Sequence, residues 1–270
     1  SGSGKKSRKK GAAAGPKETV RVGAGISFSA AEAYKLLRTK LQFSFVDEND
    51  CHIIGVSSAM AGEGKSLSSV NLAYSLAQLD KRVLLIDCDM RRPSLSAKLP
   101  IKKLPGLSNY LTRQVSMEEI IQTYGNSDEE CSFNIIAAGR NPPNPIELLN
   151  SGRMRKALDQ LRGNYDYIIL DLPPVGEVSD ALAVAKLTDG VLLVVRQNYC
   201  NRTALNAAVE QFDFVDTRIL GIVLNCTNES SGRYGKQYKG YKRYYNRYEG
   251  SYMAANRAAR QEKKQNRTRL

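Results

Sequence analysis

Six short runs rich in Ile, Val and Leu recur through the middle of the chain, at residues 52–57, 82–87, 133–138, 165–171, 191–196 and 219–225. Between most of them lie segments of helical periodicity, at 66–79, 117–124, 145–161, 180–187 and 203–214. Strands that are apolar on both faces belong to buried sheets. Strand, helix, strand in repetition closes as a mostly parallel sheet with helices on both faces, so the expected fold is α/β. Ligands of such sheets gather at the carboxyl ends of the strands.

A chain of 270 residues with 42% apolar side chains can supply the core of one large domain. That domain is expected over residues 25–231, with a helix at 29–44 ahead of the first strand. There Tyr34, Leu37 and Leu41 recur at helical spacing, and Ser29 with Glu32 reads as a capping box. A second helix start is written at Asn144, Pro145 and Glu147, as cap, first helical position and third.

The chain carries 40 Lys/Arg against 27 Asp/Glu, a net charge of +13. Residues 1–24 hold seven basic residues and one acidic, and residues 232–270 hold twelve and two; removing both ends leaves 21 basic and 24 acidic. The basicity is therefore a property of the ends, a basic N-terminal segment at 1–24 and a basic tail at 232–270. Both are expected to be disordered, and such segments meet anionic lipid or nucleic acid or are simply solvated. The opening Ser-Gly-Ser-Gly reads as a cloning remnant and carries no fold argument.

Cys51, Cys88, Cys131, Cys200 and Cys226 are odd in number and widely spread, which fits reduced thiols in cytoplasm better than a disulfide framework or a zinc site. One histidine, His52, all but removes His-based metal sites and Ser-His triads. No apolar run approaches the ~20 residues of a membrane helix.

Directly after the first run comes SSAMAGEGKS, residues 57–66. A glycine-rich turn between a buried strand and a helix N-terminus cradles phosphate with backbone N–H groups, here over Ala61, Gly62, Glu63, Gly64, Lys65, Ser66 and Leu67. Lys65 would reach the β/γ-phosphates and Ser66 would bind Mg²⁺. Ala59 stands where the full pattern has its leading glycine. Two further runs end on carboxylates, RVLLIDCDMRRP on Asp87 and Asp89 and YIILDLPP on Asp171. Three aspartates at the edge that carries the phosphate loop are expected to hold Mg²⁺ with Ser66 and to take a proton from a nucleophile. Arg91 and Arg92 read equally as phosphate ligands or as surface ion pairs. Asn225, closing the last run, reads as an adenine contact or as a strand-end turn residue.

These motifs resemble the Walker A, A′ and B motifs of bacterial tyrosine kinases, the cytoplasmic partners in capsular and exopolysaccharide export and relatives of partition and division ATPases. AAGRNPPNPIELL, SDALAVAKLTDGVLLVV, GIVLN and EAYKLLRTKLQFS extend the likeness over roughly residues 27–252. The resemblance implies a P-loop NTPase fold, ATP and Mg²⁺ as cofactors, and catalysis by Lys65, Asp87, Asp89 and Asp171, with Asp89 ahead of Asp87 as proton acceptor. It implies a homo-oligomeric ring, an octamer by family likeness, built through Glu32, Lys35 and Arg38, Lys35 standing where the family has arginine. The implied substrates are the chain's own Tyr234, Tyr238, Tyr241, Tyr244, Tyr245, Tyr248 and Tyr252, phosphorylated in trans. A separate transmembrane polysaccharide co-polymerase adaptor would activate the kinase and recruit it from the cytoplasm to the membrane, and a tyrosine phosphatase would reset it. No specific nucleic acid is expected. The competing expectation is a nucleotide-switched scaffold whose basic ends bind membrane or nucleic acid.

Overall fold

The computed structural model describes residues 23–45, 50–125 and 131–227. The chain divides into two units, residues 1–225 and 226–270, and the sheet and helices below all belong to the first. Residues 1–22 of the basic N-terminal segment and all seven tail tyrosines lie outside the described residues.

Seven strands make one sheet: β1 (His52–Ser58), β2 (Val83–Asp87), β3 (Ile121–Tyr124), β4 (Phe133–Ile136), β5 (Tyr167–Asp171), β6 (Gly190–Arg196) and β7 (Ile219–Asn225). Their order is β3-β4-β2-β5-β1-β6-β7, parallel throughout except for β3 against β4. The helices are α1 (Phe28–Gln42), α2 (Lys65–Ala77), α3 (Leu95–Lys98), α4 (Leu107–Leu111), α5 (Pro145–Leu149), α6 (Gly152–Arg162), α7 (Asp180–Ala185) and α8 (Arg202–Phe214). Successive residues of β1 feed opposite faces. Ile53 joins Met154, Leu158, Val184 and Phe212, whereas Ile54 joins Leu41, Leu72 and Leu76. Each fully buried aliphatic side chain of this kind stabilises the fold by about 1.5–3 kcal/mol.

All six expected strands are present, and the P-loop domain architecture stands. Three local expectations are corrected. Residues 121–124 form an edge strand and not the end of a helix, because Ile121, Gln122, Thr123 and Tyr124 pair antiparallel with β4. Two adjacent isoleucines satisfy a helical period, but sheet pairing overrides it. The expected helix over 145–161 is two helices, broken where Ser151 Oγ accepts from Met154 N at 3.2 Å and restarts the chain as an N-cap. α1 starts earlier than expected. Ser27, in extended backbone, caps it by accepting from Ala30 N at 3.3 Å, so the Ser29–Glu32 box is not formed. A short 3₁₀ turn at Gly23–Gly25, held by Gly23 N donating to Asn71 Oδ1 at 3.0 Å, fixes the approach to that cap.

His52 stacks on Phe45 with ring centroids 4.0 Å apart and tilts against Tyr167, a packing role. All five cysteines are free.

Candidate active site

The phosphate loop joins β1 to α2 at the carboxyl edge of the sheet. Gly62 and Gly64 take φ of +81° and +94°, a region that side chains strain to enter. At Gly64, the N-cap of α2, an added Cβ would also collide with the Asn225 side-chain amide. Lys65, Ser66 and Leu67 form the first turn of α2, whose N–H groups have no partner within the helix. Such a turn carries positive partial charge and favours an anion.

Lys65 lies among the three expected aspartates. Its Nζ donates to Asp89 Oδ2 at 3.0 Å and lies 3.7 Å from Asp171 Oδ1. Burial opposes the lysine's charge, but Asp171 and Asp89 outweigh it and raise its pKa. Asp87 is wholly buried and accepts from Asp89 N at 3.1 Å and Leu95 N at 3.2 Å. Burial, then the neighbouring Asp171, push its carboxyl up to about 7. Asp171 is raised by burial against the pull of Lys65, and it accepts from Ser69 Oγ at 3.3 Å. Asp89 also accepts from Arg92 N at 3.0 Å.

The second carboxylate oxygen of Asp171 is buried without a hydrogen bond, and Ser66 lies within hydrogen-bonding reach of that side chain. An orphaned acceptor beside a hydroxyl suits Mg²⁺, which keeps most of its waters and uses one or two protein ligands with substrate phosphates. Among the described residues no three His, Cys, Asp or Glu side chains cluster closely enough to hold a metal by themselves. Of the expected set, Asp171 holds the orphaned oxygen, while Asp87 accepts from the Asp89 and Leu95 amides and Asp89 from Lys65 and the Arg92 amide. Ser66 Oγ meanwhile accepts from Ser94 Oγ at 2.8 Å.

Arg91 resolves as an ion pair. Its guanidinium reaches Asp180 at 2.6 and 3.0 Å, tying the loop after β2 to α7. Asn225 Nδ2 donates to Glu63 O at 2.9 Å, so it reaches the phosphate loop directly. On α1, Lys35 pairs with Glu32 at 2.7 Å, and Arg38 donates to Ser75 O on α2.

A family model of the AAA domain matches residues 51–221. The tyrosine-protein kinase CpsD of Streptococcus agalactiae is 35% identical over 210 residues, covering 76% of this chain and 85% of that protein. The chain belongs to the bacterial tyrosine-protein kinases. Tyrosine-protein kinase YwqD of Bacillus subtilis is 33% identical over 195 residues, covering 72% of this kinase and 80% of YwqD. Among solved structures, the kinase domain of Escherichia coli tyrosine kinase ETK superposes with a TM-score of 0.70 at 34% identity, covering 76% of this kinase and 78% of that chain.

Several residues of the kinase's site carry no signal in the sequence. Glu177 Oε1 accepts from Ala61 N at 2.6 Å, Tyr199 OH donates to Ala61 O at 3.1 Å, and Arg196 Nη1 donates to Gly62 O at 3.3 Å. Each contact spans more than a hundred residues, beyond any local pattern. Ser69 and Ser94 are within reach of sequence reasoning, one a helical turn after Lys65 and the other beside the RRP run.

Proposed function

We propose that the kinase transfers the γ-phosphoryl group of ATP to the tyrosines of its own tail, Tyr234, Tyr238, Tyr241, Tyr244, Tyr245, Tyr248 and Tyr252, in trans between subunits. The observation that carries this reading is Lys65 at the mouth of a left-handed glycine loop, 3.0 Å from Asp89 and 3.7 Å from Asp171. A phosphate loop, a buried cation and carboxylates at one sheet edge are the parts phosphoryl transfer needs.

The loop N–H groups and Lys65 would bind and orient the triphosphate, with Asn225 toward the base. Mg²⁺, when bound at Ser66 and Asp171, would neutralise charge on the phosphate oxygens. A tyrosine hydroxyl, with a reference pKa near 10, reaches the site protonated and must lose its proton as the O–P bond forms. Asp89 takes it in this reading, because its carboxylate retains slight exposure while Asp87 has none. Each phosphate adds up to about two negative charges, so a multiply modified tail leaves the acidic site.

Exposed Phe28, Leu36 and Phe43 beside Glu32, Lys35 and Arg38 support α1 as the contact of a ring, octameric by family likeness. Among the described residues no helix is long and apolar enough to cross a membrane, which is compatible with a cytoplasmic kinase recruited by a separate transmembrane adaptor. The setting in this reading is capsular or exopolysaccharide synthesis, reset by a tyrosine phosphatase. A mixing experiment tests it. Unlabelled kinase with MgATP should place phosphotyrosine on the tail of an isotope-labelled Lys65→Met chain; a labelled tail that stays bare overturns transfer in trans.

A further inference from the structure

Glu63 is an odd residue for a loop that must hold a triphosphate, since a carboxylate beside phosphate oxygens repels them. Its side chain is nevertheless wholly buried, at 0% exposure, and both of its oxygens are engaged by backbone amides. One carboxylate oxygen accepts from Met60 N at 2.7 Å and the other from Arg196 N at 3.2 Å. Its backbone carbonyl accepts from Asn225 Nδ2 at 2.9 Å. Arg196 and Asn225 are register partners, the last residues of β6 and β7, so one loop residue grips the ends of two adjacent strands.

These contacts hold one half of the loop and not the other. Gly64, Lys65 and Ser66 are fixed by the helix they begin. The turn at residues 60–62 lies outside both β1 and α2. Glu177 and Tyr199 hold Ala61 and the Arg196 guanidinium holds Gly62, while the Glu63 carboxylate ties the start of the turn, at Met60 N, to the end of β6. We propose that Glu63 is a positioning residue for nucleotide binding: its buried carboxylate seats the 60–62 turn on the ends of β6 and β7 and so sets how the loop closes on the terminal phosphate. The role rests on the nucleotide reading above and acts through the loop's backbone, without contact to phosphate.

The chemistry demands two acceptors. A glutamine of the same volume offers one oxygen and turns an NH₂ against a backbone N–H, so it cannot replace the carboxylate. This fixes the sign of the test. If Glu63 merely repelled phosphate, neutralising it would tighten binding; if it positions the loop, neutralising it weakens binding.

The experiment compares the 270-residue wild-type chain, Glu63→Gln and Glu63→Ala by calorimetric titration with adenylyl-imidodiphosphate and with ADP, each with MgCl₂, alongside thermal unfolding. The expected result is a loss of about tenfold or more for adenylyl-imidodiphosphate in both variants, on the scale of lost supporting contacts at ligand sites. ADP, which lacks the terminal phosphate, should lose less. Tighter or unchanged binding in Glu63→Gln overturns the proposal, as does an equal loss for both nucleotides that tracks the folded fraction. If Glu63→Ala fails to fold, the isosteric Glu63→Gln decides. Should wild type bind both nucleotides yet form no phosphotyrosine, the kinase reading fails and the titrations still judge Glu63.

Discussion

Lys65 Nζ and Asp89 Oδ2 stand 3.0 Å apart with their side chains almost wholly buried, joining the phosphate loop to the end of β2. The pair neutralises part of a carboxylate cluster. Removing one partner of a buried pair leaves the other charged and unpaired, which costs about 3–5 kcal/mol. Lys65→Met should therefore lower the melting temperature as well as activity. Denaturant unfolding at neutral pH would show the loss, and a variant as stable as wild type would mean that the lysine carries no structural charge.

Gly64 combines φ of +94° with an Asn225 amide in the space a Cβ would enter. Gly64→Ala is expected to destabilise the fold by about 1–3 kcal/mol of local strain and to push Asn225 off the loop. Nucleotide titration should show weaker binding that Asn225→Gly fails to restore fully, because the backbone strain persists.

The buried carboxylates make stability depend on pH with an unusual sign. Asp87 has its folded pKa raised from 3.8 to about 7. Between those values the folded chain binds more protons than the unfolded chain, so stability falls as pH rises through the window and levels off above it. The melting temperature of the nucleotide-free protein should decline from pH 5 to pH 7, and the decline should shrink in Asp87→Asn. A flat or rising profile in wild type contradicts the assignment.

On α1, Arg38 faces inward to Ser75 O while Glu32 and Lys35 pair with each other at 2.7 Å. An i,i+3 pair alone is worth only a few tenths of a kcal/mol. If this helix also joins subunits, Glu32→Ala combined with Arg38→Ala should sediment as a smaller species. An unchanged oligomer rejects the contact.

The sheet is legible in the sequence because its strands are uninterrupted apolar runs, and the loop because GEGKS sits between a run and a helical period. Asp87, Asp89 and Asp171 can be placed at one edge from strand ends alone. β3 is not legible, since Ile120 and Ile121 suit a helix as well as a strand until β4 supplies the pairing. Nor are Glu177, Arg196 and Tyr199, whose contacts with Ala61 and Gly62 arise only when β5 and β6 flank β1. The side chain of Glu63 is likewise hidden. Its place in the motif is visible, but the strand ends it grips lie more than a hundred residues away.

The most direct measurement is peptide mapping of the purified kinase, tail included, after incubation with MgATP. Phosphotyrosine on peptides spanning residues 234–252, absent in Lys65→Met, is the result expected. Hydrolysis of ATP with no phosphotyrosine anywhere in the chain would contradict the account.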